Sequence, residues 1–268
     1  MASTHRIMLV VAYDGTAYRG SAYQKHNRDT IEEMLNRAIL SLTGEEVQVI
    51  GASRTDAGVH AYGSIYVFDT CSSIPGDRFS FALNNMLPED IRAVESREVA
   101  LTFHPRHCDS EKTYEYHVLN TRMEVPTKRH YTYHFDMELN IDAMIEAGSY
   151  LVGEHDFTSF CNVKSGALSH VRTVKSVEVE RVGDEVVVTV TGNGFLYNMV
   201  RIIVGTLLQI GRGKGEPSDI KKMLEAKDRS AAGPTAPAQG LYLKKYRFLD
   251  GIPGPEDNTN NDGSQEVE

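Results

Sequence analysis

The 268 residues divide, at about 150 residues per domain, into one or two domains with room for a sizeable core, which excludes a small disulfide-stapled scaffold. An apolar fraction of 41%, a charged fraction of 24%, 22 Gly and 9 Pro are ordinary globular values and exclude a wholly disordered, collagenous or repeat-dominated chain. The net charge of −9 argues against a nucleic-acid partner only in the mean, because residues 251–268 hold five acids and no Lys or Arg and leave −4 on the rest, which has scope for a basic patch.

His5 to Tyr13 is apolar and β-prone and ends at Asp14-Gly15, a strand followed by a turn. Asp29, with Glu32 three residues on, reads as a capping box. It opens a helix in which Ile31, Met34, Leu35, Ala38, Ile39 and Leu42 recur at helical spacing until Gly44. Strands are expected at 46–52 and 62–69, a helix at 77–86 that stops before Pro88, and a strand at 91–99. A similar order follows: strands at 113–120 and 129–135, a helix at 141–152, and strands at 171–181 and 185–191 whose Val-Gly-Asp joint signals an antiparallel hairpin. A long helix then carries Phe195, Met199, Ile202, Ile203, Leu207 and Ile210 on one side, and a short helix at 218–226 and a strand at 241–248 complete the chain. The expectation is an α+β fold of two halves, 1–104 and 105–250, with an acidic, disordered tail over 251–268.

No apolar run approaches the length of a membrane span, and the first residues lack the apolar block of a secretory signal, so the cytoplasm is the expected location. Cys71, Cys108 and Cys161 are odd in number and far apart, and read as buried thiols rather than as a disulfide framework or zinc site. His130 and His134 are four apart, but Tyr-Thr-Tyr between them suggests a strand and no third ligand is evident, so no metal is expected. The run from Gly211 to Pro217 is glycine-rich, yet Lys214 precedes Gly and the run follows a helix, so it fits neither phosphate-loop pattern. No Gly-x-Ser-x-Gly elbow is present, and no cofactor is expected.

Gly51 to Ala61 (GASRTDAGVHA) sets polar and small residues between two strands, where a scaffold can hold out a catalytic group. Asp56 is the candidate, with Arg54 two residues earlier to favour its charge and grip a phosphate; an Asx turn is the plain alternative. Tyr114 shares a strand face with Tyr116, and its ring suits stacking on a nucleobase as well as ordinary packing. Arg201 lies in an apolar helix and needs a carboxylate partner, whether for catalysis or for a structural ion pair.

These segments, together with Tyr13-Asp-Gly-Thr16, Ala82-Leu-Asn, Leu87 to Ile91, Lys112-Thr-Tyr114, Gly153 to Phe160, Gly194 to Gly205 and Thr235 to Leu243, resemble the tRNA pseudouridine synthase A family along residues 6–249. The resemblance implies a homodimer of the pseudouridine synthase fold, each subunit with two similar α+β halves, an antiparallel sheet flanked by helices in each and an RNA cleft between them. It implies isomerisation of uridine to pseudouridine in the anticodon stem-loop of tRNA, with tRNA as partner and no cofactor, metal or membrane. Asp56 would be the nucleophile, Arg201 its partner, Arg54 a grip on the extruded nucleotide and Tyr114 the ring against the base. Lys25 and Arg28, then Lys164 and Arg172, are the basic residues expected to meet tRNA phosphates. The rival function is a catalytically silent RNA-binding or chaperone-like homologue; the joint presence of Asp56, Tyr114 and Arg201 argues against it. Where the family commonly has an aromatic and then Gln after Tyr18-Arg-Gly20, this chain has Ser21 and Ala22, which leaves the choice of uridines open.

Overall fold

Ten strands and five helices run through residues 3–256, the part of the chain that the computed structural model describes. They divide into two units, one comprising residues 3–55, 61–109 and 248–256, the other Asp56–His60 and Ser110–Arg247. The expected disorder of the tail falls mainly outside the described residues; within them, Pro253 accepts the Ala100 amide at 3.1 Å.

The first unit is built on β1 (His5–Tyr13), α1 (Ile31–Thr43), β2 (Ile50–Gly51), β3 (His60–Thr70), α2 (Phe79–Leu83) and β4 (Ile91–Val99). β1 lies between β4 and β3, antiparallel to both, with β2 on β3. Ile7, Leu9 and Val11 of β1 and Ile31, Leu35 and Ile39 of α1, at helical spacing, are buried, each contributing roughly 1.5–3 kcal/mol of hydrophobic stabilisation. The helix cap sits one residue later than Asp29. Thr30 is the last extended residue, and its hydroxyl accepts the Glu33 amide at 3.3 Å. Glu32 turns inward instead and accepts the Tyr23 amide at 2.7 Å. The strand expected at 46–52 shrinks to β2 because the Val49 amide goes to the Asn36 side chain at 2.9 Å. The helix expected at 77–86 is a 3₁₀ turn followed by the five residues of α2, closed off where the Asn84 side chain bonds both backbone groups of Ala93.

The second unit contains β5 (Ser110–Leu119), β6 (Tyr133–His134), α3 (Ile141–Ser149), β7 (Gly153–Asp156), β8 (Val171–Val182), β9 (Glu185–Gly192), α4 (Met199–Gly211), α5 (Asp219–Ala226) and β10 (Leu241–Phe248). Its sheet runs β10-β5-β9-β8-β7, with β5, β9, β8 and β7 antiparallel in turn and β6 alongside β5 in parallel. The strand expected at 129–135 survives as the two residues of β6, and β7 has no counterpart among the expected elements. The long helix begins at Met199 rather than Phe195, because Asn198 adopts the left-handed conformation at φ 62° and breaks the helical run. α4 is buried on nearly all sides, as a helix apolar all round must be. Of the cysteines only Cys161 is buried; Cys71 is exposed and Cys108 half-buried, since Cys71 directly follows the last residue of β3.

Gly205 brings the α4 backbone against the segment from Pro234 to Ala236. A Cβ there would stand 1.8 Å from the Pro234 carbonyl oxygen, so no side chain fits without moving backbone. Gly205→Ala is expected to cost about 3 kcal/mol, the upper range for overpacking, and to lower the melting temperature by roughly 5–10 °C in circular dichroism. An unchanged melting temperature would contradict this close approach.

Candidate functional site

Asp56–His60 is a short turn fixed within the second unit. The Val59 amide donates to the Asp56 main-chain carbonyl at 3.2 Å, and Gly58 takes φ 78° with the Ala238 methyl 3.4 Å from where its own Cβ would be. His60 is 2% exposed, and its Nε2 lies 3.0 Å from the His130 carbonyl and 3.2 Å from that of Gln239. Both partners only accept, so Nε2 carries the hydrogen. The imidazole stacks on Tyr242 at 4.6 Å.

Arg201, in the first turn of α4, meets this turn. Its Nη1 lies 3.4 Å from Asp56 Oδ2 and 3.1 Å from Asn198 Oδ1, and its Nε donates to the Ala236 carbonyl at 2.7 Å. The Ala236 amide in turn donates to the Arg201 carbonyl at 3.0 Å. The Arg201 and Asp56 side chains are 18% and 29% exposed, so their ion pair contributes on the order of 0–1 kcal/mol to stability. A charged donor on a carbonyl is worth about 1.5–3 kcal/mol. Ala236 and Asn198 therefore set the guanidinium, and the guanidinium aims the carboxylate.

Thr55, the residue before Asp56, is fixed inside the first unit. The Ser21 amide donates to its carbonyl at 3.1 Å, its own amide donates to Ser21 Oγ at 2.8 Å, and its hydroxyl bonds the Tyr13 hydroxyl at 2.8 Å. Tyr13 reaches it after register shifts near the end of β1, the kind of bulge that re-aims a side chain. Burial pushes the Tyr13 phenol up to about 12, so it stays a neutral hydrogen-bonding group. Ser21 is 1% exposed, and its backbone amide and its hydroxyl oxygen together make the two-way bond to the Thr55 backbone.

Tyr114 lies on one face of β5 with Tyr116, as the alternation of a strand requires. It is buried edge-on against Phe195, with centroids 5.3 Å apart and planes at 88°. Tyr116 donates to the Pro237 carbonyl at 2.7 Å; burial holds its phenol far above the ordinary tyrosine range, and the Arg201 charge pulls in the other direction. Arg201, Tyr116 and His60 thus all bond residues 236–239, and Arg201 in turn meets Asp56. Arg54 is exposed in the first unit, its charge felt by Glu32, and Lys25 and Arg28 are exposed on the loop before α1. Lys164 is exposed in the second unit, and Arg172 bonds the Ser169 and Val171 carbonyls at 3.0 and 2.6 Å.

No group of three or more His, Cys, Asp or Glu among the described residues could hold a metal ion, and His134 Nε2 is engaged by the Thr121 carbonyl. No described helix is long and apolar enough to cross a membrane. Sequence reasoning passed over His60, Asn198 and the carbonyls of residues 236–239. An Asn before an apolar helix, a residue type that tolerates positive φ, was the one readable signal among them.

A family model described as tRNA pseudouridine synthase matches residues 9–108 and 147–249. The tRNA pseudouridine synthase A of Thermoanaerobacter sp. (strain X514) is 47% identical over 242 residues, covering 90% of this chain and 99% of that protein. That of Acetivibrio thermocellus is 48% identical over 242 residues, with the same coverage. The tRNA pseudouridine synthase A 2 of Clostridium tetani is 48% identical over 243 residues, covering 90% of this chain and 98% of its own.

Ser21→Ala removes the acceptor of a buried amide and is expected to destabilise the protein by about 1–3 kcal/mol in urea titration, with Tyr13→Phe costing about 1 kcal/mol. Midpoints equal to the wild type in both would show that Thr55 is not held this way.

Proposed function

The chain belongs to the tRNA pseudouridine synthase family, and from that premise we propose that it isomerises uridine to pseudouridine in tRNA, with Asp56 as the carboxylate that acts on the sugar. The observation that supports this assignment is the Asp56–Arg201 pair at 3.4 Å, with the guanidinium fixed by Ala236 and Asn198. The reaction breaks the bond from N1 to the ribose, turns the uracil over, and joins C5 to the same sugar carbon. C5 loses a proton and N1 gains one, so the product is an isomer and the atom balance requires no oxidant, nucleotide or metal. A carboxylate serves either as the nucleophile at the sugar or as the base that takes a sugar proton, and an amide can do neither.

Around that step, Tyr114 is the ring against the turned-out base. Phe195 stands perpendicular to it, so a base stacked on Tyr114 meets Phe195 edge-on. Arg54 grips the extruded nucleotide, while Lys25, Arg28, Lys164 and Arg172 meet phosphates of the stem, where A-form geometry hides most base edges. The substrate we propose is the anticodon stem-loop, and the acting species a cytoplasmic homodimer.

The test is incubation with unmodified tRNA transcripts followed by carbodiimide mapping of pseudouridine. Wild type is expected to form product, and Asp56→Asn to lose at least about a thousandfold in rate. Intact tRNA binding without product in the wild type would overturn the reading in favour of a silent RNA-binding protein, and equal product from Asp56→Asn would remove Asp56 from its role. Arg201→Lys, which gives up the Ala236 bond, is expected to lower kcat by roughly tenfold or more with KM changed by less than about threefold. A rise in KM alone would mean that Arg201 binds tRNA instead of aiming Asp56.

A further inference from the structure

We infer that Lys112, together with Arg172, forms a binding site for a backbone phosphate of the substrate RNA on the same sheet face as Tyr114, an inference that rests on the tRNA-modifying reading above.

The sheet register gathers the residues. Lys112 on β5 faces Gly192 on β9, and Gly192 faces Val174 on β8. Side chains alternate along a strand, so Tyr114, two residues beyond Lys112, and Arg172, two residues before Val174, share its face. Gly192 contributes no side chain to the row; a Cβ there would meet the Thr173 carbonyl oxygen at 2.8 Å and Phe195 Cζ at 3.2 Å, so both pack against its backbone. Phe195 is also the ring set perpendicular to Tyr114. One aromatic side chain therefore packs against both Tyr114 and the Gly192 backbone that pairs with Lys112.

Neither cation has a carboxylate partner among the described residues. Arg172 spends its guanidinium on the Ser169 and Val171 carbonyls and approaches the backbone at Gly194. The Lys112 ammonium sits over the Tyr246 ring at 5.2 Å. Glu111, its neighbour in the chain, is on the opposite face and already engaged by Lys175 and Arg247. Burial, and after it the charge of Arg172, lowers the Lys112 pKa. A largely enclosed ammonium beside a second cation with no counter-ion is unfavourable as it stands. A phosphodiester of the substrate removes that cost: it has the right sign, it offers oxygens to both donors, and the substrate presents one at every nucleotide.

The experiment measures tRNA affinity of the full-length protein as a function of salt for wild type, Lys112→Met, Lys112→Arg and Arg172→Gln, alongside pseudouridine formation by the wild type. Lys112→Met is expected to weaken Kd roughly fivefold to tenfold at 0.1 M salt and to make the slope of log affinity against log salt shallower by about one. Lys112→Arg is expected to keep the wild-type slope, and Arg172→Gln to repeat the loss should the methionine variant fold poorly. Unchanged Kd and slope in both neutral variants, with an active wild type, would overturn this inference. A wild type that forms no pseudouridine would instead overturn the proposed function, whatever the slopes.

Discussion

Backbone carbonyls that no sheet ladder claims must find donors, and in residues 236–239 the donors they find are the side chains of the site. Ala236 accepts from Arg201, Pro237 from Tyr116 and Gln239 from His60, while the Ala238 methyl fills the space beside Gly58. Each bond alone is worth only about 1 kcal/mol, somewhat more for the charged donor, but together they tie the start of α4, the face of β5 and the turn at Asp56 to one stretch of chain. The stretch is itself fixed by contacts that allow no slack: Gly205 and Gly233 let α4 and the segment from Pro234 touch backbone to backbone.

Under the proposed function, that arrangement gives a weak ion pair a part to play beyond stability. At 3.4 Å and partly exposed, Asp56–Arg201 adds little to folding. What it adds is direction. The guanidinium is already placed by Ala236 and Asn198, so the carboxylate next to it has a defined orientation before any substrate arrives. Within the first unit, Ser21 and Tyr13 fix Thr55, the residue that precedes Asp56 in the chain.

Much of this was legible in the sequence, and the gaps have physical causes. β1, β4 and β10 stand at the residues their apolar, β-prone runs indicate, because pattern and burial agree there. α1 was readable too, apart from its cap, since Asp29 and Thr30 are both good caps and only the backbone of Thr30 decides between them. α4 was drawn a turn too long because Phe195 keeps helical spacing with Met199, and periodicity does not see the positive φ of Asn198. In the site, Asp56 and Arg201 stood out as charges in small or apolar surroundings. Ser21 did not. It could be noticed only as a departure from a familiar pattern, and its meaning depends on a partner 34 positions away. The carbonyls of residues 236–239 left no trace at all, since every residue has one.

The account depends on Asp56 reaching the ribose of the turned-out nucleotide. A crystal structure of the protein with an anticodon stem-loop carrying 5-fluorouridine at the target, where fluorine blocks the loss of the C5 proton, measures that directly. It is predicted to place an Asp56 carboxylate oxygen within about 3.5 Å of the ribose carbons C1′ or C2′, or bonded to one of them, with Arg201 still against the carboxylate. A target ribose approached by a different acid, with Asp56 turned away from both the sugar and Arg201, would contradict it.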